Sequence, residues 1–180
     1  MLSFNVKDAT AHASTLAALV QHHRVDVLVL QEVRRPIRAA FSSGLAGFYF
    51  VWGDKKVRFE HEGQGLFSSM IGVLRSAHIS VQAVATGITG YRTFVVKLSR
   101  EDQSFWVVNV HTTKAFWLQG SLVDTFRKAQ YKSAWHVMER KQLGKWLAHN
   151  QDLPVLVSGD FNVPAGVYNT RYQDFTHAII

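Results

Sequence analysis

The 180-residue chain contains no cysteine, and its 20 lysine and arginine residues outnumber its 13 aspartate and glutamate residues, giving a formal net charge of +7. The absence of cysteine excludes disulfide scaffolds, zinc sites built from four thiolates and cysteine nucleophiles. With 47% hydrophobic residues, a chain of this length can bury the core of one domain, which argues against disorder.

The beginning of the chain predicts a strand, a helix and a second strand. Residues 2–6 form a short strand pattern, and Asp8 or Thr10 can cap a helix that continues to about His23. Residues 25–32 are mostly aliphatic and β-branched. Because this run is too short for a typical helix, it predicts a strand buried on both faces.

The middle of the chain predicts a series of strands after a loop or irregular helix at 33–47. The predicted strands are 48–53, 66–74, 78–85, 92–98 and 105–111. The short gaps between the last four favour hairpin connections. A helix at about 122–149, a strand at 154–158 and the beginning of a helix at 168–180 complete the pattern.

The positive charge is concentrated between Lys114 and Lys145, a segment that carries +5 of the +7. Such a segment indicates a surface for phosphates or, equally simply, an ordinary solvated helix face. No apolar stretch approaches the roughly 20 residues of a spanning helix. We also find no signal-peptide pattern, so we expect a soluble protein, cytoplasmic by default.

Polar side chains stand at the ends of four predicted strands. They are Asn5, the pair Gln31 and Glu32, Asn109 with His111, and Asp160 with Asn162. Each alone is compatible with a structural hydrogen-bond network, but burying several unpaired groups of this kind is costly, so the set indicates a site. Oxygen ligands suit a hard cation such as Mg²⁺, which Glu32 with Asn5 in support could hold. Zinc fits poorly, because the sequence contains no His-Glu-x-x-His run.

Four motifs in this order resemble the endonuclease/exonuclease/phosphatase superfamily. They are Leu-Ser-Phe-Asn-Val with Asn5, Leu-Gln-Glu-Val with Glu32, Val-Asn-Val-His-Thr with His111, and Ser-Gly-Asp-Phe-Asn at 158–162. The resemblance implies an α/β fold, a four-layer α-β-β-α sandwich of two mixed, mainly antiparallel sheets. It also implies one domain over residues 1–180 and Mg²⁺-dependent (or Mn²⁺-dependent) hydrolysis of a phosphodiester by attack of water.

The resemblance further implies a role for each matching residue. Glu32 would be the metal carboxylate, with Asn5 as its partner, and Asp160 would orient or deprotonate the attacking water. His111 would protonate or hydrogen-bond the scissile phosphate. It also implies phosphoryl contacts by Asn109 and Asn162 and substrate-phosphate binding by Arg127. From its place in the basic segment after His111, we expect Lys114 to bind substrate phosphate as well. A solvent-facing helix turn explains Arg127 equally well.

The sequence departs from the family after Asn162. Members continue with a further Asp and a terminal Asp-His pair, and Asp174 with His177 has the wrong spacing for that pair. We therefore expect a C-terminally truncated piece, holding the first sheet and only the opening strand of an incomplete second sheet, with weak or absent turnover. As substrate, nucleic acid is favoured over a lipid or inositol phosphate. The alternative is a catalytically incomplete scaffold or nucleic-acid-binding domain. The oligomeric state is left open.

Overall fold

The computed structural model describes residues 1–6, 12–34, 38–53, 67–84, 93–112 and 122–161. Within these ranges the helices and strands, in chain order, are β1 (Leu2–Asn5), α1 (His12–His23), β2 (Val27–Arg34), α2 (Arg38–Gly44), β3 (Phe48–Gly53), β4 (Phe67–Leu74), β5 (Ser80–Val84), β6 (Thr93–Arg100), β7 (Gln103–His111), α3 (Leu122–His149) and β8 (Val155–Asp160). The predicted loop or irregular helix at 33–47 contains the short helix α2, and the predicted helix at 168–180 lies outside the described residues.

The strands form two four-stranded sheets, in the orders β1-β2-β4-β3 and β5-β6-β7-β8. In each sheet one pair is parallel, β1 with β2 and β7 with β8, and the other pairs are antiparallel. The predicted architecture of two mixed, mainly antiparallel sheets is therefore confirmed. The expectation that only the opening strand of the second sheet would be present is wrong, since this sheet has four strands.

The predicted hairpin between β4 and β5 is also wrong. Both edges of β4 are already paired, with β2 on one side and β3 on the other, so β5 cannot add to it. The chain instead passes through a short 3-10 helix, Arg75–Ala77, and a left-handed residue, His78, and then enters the second sheet. The hairpin-like antiparallel pairs β5-β6 and β6-β7 agree with the prediction.

Three apolar clusters hold the layers together. Side chains of α1 and α2, including Leu16 and Phe41, pack on one face of the first sheet. The opposite face packs on the second sheet through valines such as Val29 and Val107. Leu143 of α3 packs with others on the outer face of the second sheet. The order helix, sheet, sheet, helix is the predicted four-layer sandwich, and each fully buried aliphatic side chain contributes about 1.5–3 kcal/mol to it.

Helix α3 connects the parallel strands β7 and β8 across the outer face of the second sheet. Its buried face is apolar at Leu143 and Trp146, whereas Lys141 and Lys145 are exposed. No helix in the described part of the chain is both long and apolar enough to cross a membrane.

Candidate active site

Strand β7 directs two polar side chains toward the first sheet. Val107 packs between the sheets, and because side chains alternate along a strand, Asn109 and His111 share its face. Both polar residues are buried, with relative exposures of 0% for Asn109 and 4% for His111. The polar side chains of Asn109 and His111 thus lie buried between the two sheets, at the end of β7.

Strand β8 places Asp160 beside His111, since the two residues are partners in the parallel pairing of β7 and β8. The preceding glycine makes this pairing possible. Gly159 has φ 145°, and a Cβ there would lie 1.9 Å from the carbonyl oxygen of Val110. Only glycine allows β8 to approach β7 this closely, so the Gly-Asp part of the motif has a steric cause.

Asp160 also joins the second sheet to the first. The side-chain amide of Asn5, at the end of β1, donates a hydrogen bond to Asp160 Oδ2 over 2.8 Å, although the two residues are 155 positions apart in sequence. A hydrogen bond to a carboxylate is among the stronger ones in proteins and fixes the direction of its oxygens. The predicted association of Asn5 with the site thus takes the form of a bond to Asp160.

A β-bulge in β2 sets the direction of Glu32. Pairing with β4 is regular as far as Leu30 and resumes at Val33 with a shifted register, so Gln31 and Glu32 oppose the single residue Ser69. Glu32 has φ 57°, in the left-handed region. Such a bulge bends the strand and redirects its side chains.

The bulge changes which face of β2 carries Glu32. Leu28 and Leu30 face the helices, and uninterrupted alternation would place Glu32 with them and Val33 on the opposite face. Instead, Val33 packs with the two leucines, and Glu32 Oε1 lies 3.1 Å from His111 Nε2 of the second sheet. The bulge is therefore what turns the carboxylate into the inter-sheet site.

Glu32, His111 and Asp160 each offer one ligand atom, and these atoms lie within 4.8 Å of one another. The buried Nε2 of His111 has no aligned hydrogen-bond partner, despite its proximity to Glu32. Two carboxylates suit Mg²⁺ or Mn²⁺, and the three side chains lack the several nitrogen or sulfur ligands of a structural zinc site. The two carboxylates of this group thus fit a hard divalent cation.

Behind these three side chains lies a buried amide pair that connects the sheets. Gln31 Nε2 donates to Asn109 Oδ1 over 2.8 Å, and Asn109 Nδ2 donates to the carbonyl oxygens of Leu30 and Met70 over 2.9 and 3.2 Å. The side chain of Asn109 is completely enclosed. Its position does not fit the predicted contact with phosphoryl oxygens, because its amide is occupied by protein partners.

Sequence reasoning missed the part played by Gln31, which is only 1% exposed. A signal was present, since an amide at the end of an otherwise apolar strand must find buried partners. The identity of those partners depends on the pairing of distant strands, which one strand's sequence does not specify.

The structure brings together four of the predicted site residues: Asn5, Glu32, His111 and Asp160. Asn162 and Lys114 lie outside the described residues, and Arg127 belongs to α3 but its side chain is not among those described. These three assignments stay predictions.

Two exposed lysines of the basic segment lie in the C-terminal half of α3, away from this cluster. Trp146 of α3 packs edge-on against Trp106 of β7, with ring centroids 5.7 Å apart. His111 is about 16 Å further along that strand. The exposed side chains of Lys141 and Lys145 belong to the same half of α3 as Trp146, so they are remote from the cluster.

Comparison with known proteins gives a consistent picture. Residues 2–178 match the model of the Endonuclease/Exonuclease/phosphatase family. No curated protein matches the sequence. Among solved structures, an endonuclease/exonuclease/phosphatase family protein from Bacteroides thetaiotaomicron is 17% identical, with a TM-score of 0.63 over 94% of this chain and 61% of that one.

Two further solved structures share the fold. An AP endonuclease from Archaeoglobus fulgidus is 19% identical, with a TM-score of 0.60 over 96% of this chain and 62% of that one. TDP2 from D. rerio, complexed with a single-strand DNA product, is 16% identical, with a TM-score of 0.56 over 90% of this chain and 60% of that one. The chain thus spans about three fifths of the length of these structures.

Proposed function

Since this chain belongs to the endonuclease/exonuclease/phosphatase family, we propose that it hydrolyses a phosphodiester by attack of water at the cluster of Glu32, His111 and Asp160. The observation that carries the proposal is the convergence of these three side chains from three strands of two sheets to within 4.8 Å. Two carboxylates forced together in a partly buried position repel each other, and a bound cation removes that repulsion.

Glu32 would be the carboxylate that holds the divalent cation, Mg²⁺ or Mn²⁺. When bound there, it would supply Lewis-acid polarisation of a phosphoryl oxygen and offset the charge that develops during the displacement. Asn5 supports this arrangement by donating to Asp160 Oδ2, which keeps that carboxylate turned toward the cluster.

The remaining steps belong to the protein's own groups. Asp160 orients the attacking water and accepts its proton as the new P–O bond forms, while His111 hydrogen-bonds a non-bridging oxygen of the scissile phosphate. The P–O bond to the leaving group breaks, and the leaving oxygen takes up a proton from bulk water. Both groups can act at one phosphate, because their strands are paired in register at these residues and their polar atoms lie within 4.8 Å of each other. Asn162 as a phosphoryl contact, and Arg127 and Lys114 as substrate-phosphate ligands, complete the proposal.

Nucleic acid is the proposed substrate class, in preference to a lipid or inositol phosphate. The net charge of +7 favours a polyanion. Two proteins with the same fold are an AP endonuclease and a TDP2 complexed with single-strand DNA product, which adds support for DNA.

The test is hydrolysis of labelled single-stranded, duplex and abasic DNA and of RNA by the wild-type chain. Asp160→Asn is the test variant, and Asp152→Asn is the matched control, because Asp152 is exposed and precedes β8. We expect weak turnover that requires Mg²⁺, persists in the control and falls to background in Asp160→Asn. Turnover that is equal in both variants contradicts the proposal. Cation and DNA binding without any turnover favours the alternative, a catalytically incomplete binding or scaffold domain.

A further inference from the structure

We propose that Asn109 and Gln31 form a clamp that holds the bulge of β2 in the conformation presenting Glu32 to His111. They are positioning residues, which act through the bulge rather than by touching substrate. The inference deepens the proposed function, because it concerns how the same site is held in place.

The orientation of both amides is fixed by their surroundings. Asn109 Nδ2 lies next to two carbonyl oxygens, Leu30 O and Met70 O, which can only accept hydrogen bonds. Its Oδ1 must therefore accept the bond from Gln31 Nε2. The carbonyl oxygen of Val29, 3.2 Å from Gln31 Nε2, fixes the second amide in the same way. Reversing either amide would bring acceptors together, so the clamp has one orientation.

The clamp is hydrogen-bonded to both β2 and β4 where the bulge begins. Leu30 and Met70 form the last regular pair of β2 and β4 before the register shift, and Asn109 donates to the carbonyl oxygens of both. Its third bond goes to Gln31, the first residue of the bulge. A side chain of the second sheet thus determines where the pairing in the first sheet is interrupted.

The same clamp sets both ends of the contact between Glu32 and His111. Glu32 directly follows the clamped Gln31, and His111 follows Asn109 by two residues on the same face of β7. Glu32 also occupies the left-handed region at φ 57°, a conformation that persists in a non-glycine residue only when its surroundings enforce it. Among the described contacts, the hydrogen bonds of Asn109 and Gln31 meet that requirement.

The experiment is a titration with Mn²⁺, followed by electron paramagnetic resonance, of the 180-residue wild type and the variants Asn109→Leu and Gln31→Met. Leucine has the branching of asparagine and methionine is unbranched with nearly the length of glutamine, and neither side chain can make the hydrogen bonds. The control is Val107→Ala, which also removes buried contacts on the same face of β7. We expect Mn²⁺ affinity to fall about tenfold or more in the two clamp variants, and to stay within about twofold in a folded Val107→Ala chain. Equal affinities in all four proteins overturn the inference.

A second measurement separates the clamp from the proposed function. If the wild type binds no Mn²⁺, the proposed function fails, and a crystal structure of Gln31→Met decides the inference alone. Loss of the 3.1 Å contact between Glu32 and His111, or of the positive φ at Glu32, supports the clamp. Retention of both overturns it. If Asn109→Leu does not fold, Gln31→Met alone provides the test. It leaves the hydrogen bonds from Asn109 to Leu30 and Met70 in place.

Discussion

The backbone of Glu32 distinguishes it from the other residues of the site. Four non-glycine residues in the described ranges have a positive φ. Arg24, His78 and Glu101 occupy turns between elements, whereas Glu32 lies inside a strand. The left-handed conformation costs a non-glycine residue about 1–2 kcal/mol. A carboxylate kept in such a conformation indicates that its direction matters more than the stability of the strand.

Because of this strain, we expect glycine at position 32 to weaken cation binding but to give a more stable fold than alanine. Glu32→Gly relieves the backbone strain and Glu32→Ala does not, so we expect the glycine variant to be more stable than the alanine variant by about 1 kcal/mol in urea unfolding. Both should lose at least about tenfold in Mn²⁺ affinity. Glu101, at φ 54° in an exposed turn, is the control position. There, Glu101→Gly should again be more stable than Glu101→Ala, and neither should change the Mn²⁺ affinity. A Glu32→Gly chain less stable than Glu32→Ala contradicts the interpretation.

The close approach of β8 to β7 at Gly159 leaves no room for a side chain. Alanine there adds a Cβ 1.9 Å from the carbonyl oxygen of Val110, at a φ of 145°. We expect Gly159→Ala to lower the free energy of unfolding by at least about 2 kcal/mol and to weaken Mn²⁺ binding, because Asp160 must move with β8. Gly44→Ala is the control, since its Cβ would meet only Ala13 at an ordinary 3.5 Å. Equal stabilities of the two variants would refute the steric argument.

At the scale of elements, sequence periodicity predicted most strands and both long helices, because apolar alternation and aliphatic runs are local properties. Strand β2 was expected as a buried strand and is one. Its bulge could not be predicted, since it depends on the pairing with β4 and on the amide of Asn109 in another sheet. The passage from β4 to β5 was mistaken for a hairpin for the same reason: strand order is a non-local property.

Helix α3 supports the site indirectly, by covering the outer face of β7 and β8. Leu143→Ala should lower the free energy of unfolding by about 2–5 kcal/mol, because Leu143 is only 3% exposed in the apolar layer between α3 and the second sheet. Val137→Ala, on the same helix but 49% exposed, should change it by less than about 0.5 kcal/mol. Urea unfolding measures both values. Similar losses in the two variants would mean that α3 packs through a different face.

For the whole molecule, the order of the four motifs was enough to predict the family and the fold, and it singled out Glu32, His111 and Asp160 among its candidate site residues. Their geometry could not be predicted, because Asn5 and Asp160 come from opposite ends of the described chain and meet only when the two sheets pack. For the same reason, the contact predicted for Asn109 differs from its observed hydrogen bonds to Gln31, Leu30 and Met70. A motif specifies that an amide is needed, whereas packing decides whether it faces a ligand or holds the structure.

Charge is also a property of the whole molecule. With a net +7, affinity for a single-stranded DNA should fall at least about tenfold between about 50 and 200 mM salt, as counterions compete for the phosphates. The double variant Lys141→Ala/Lys145→Ala should bind DNA within about twofold of the wild type at one salt concentration, because both lysines lie far from the cluster. Fluorescence anisotropy measures both effects. A large loss in the double variant would place the DNA on the outer face of α3.

If the two sheets together build one cation site, a calorimetric titration of the wild type, Glu32→Gln and Asp152→Asn with Mn²⁺ will show it. We predict one ion bound per chain, an affinity at least about tenfold weaker in Glu32→Gln, and an unchanged affinity in Asp152→Asn, whose carboxylate is exposed outside the cluster. Absence of binding by the wild type, or equal affinities in all three proteins, would contradict it.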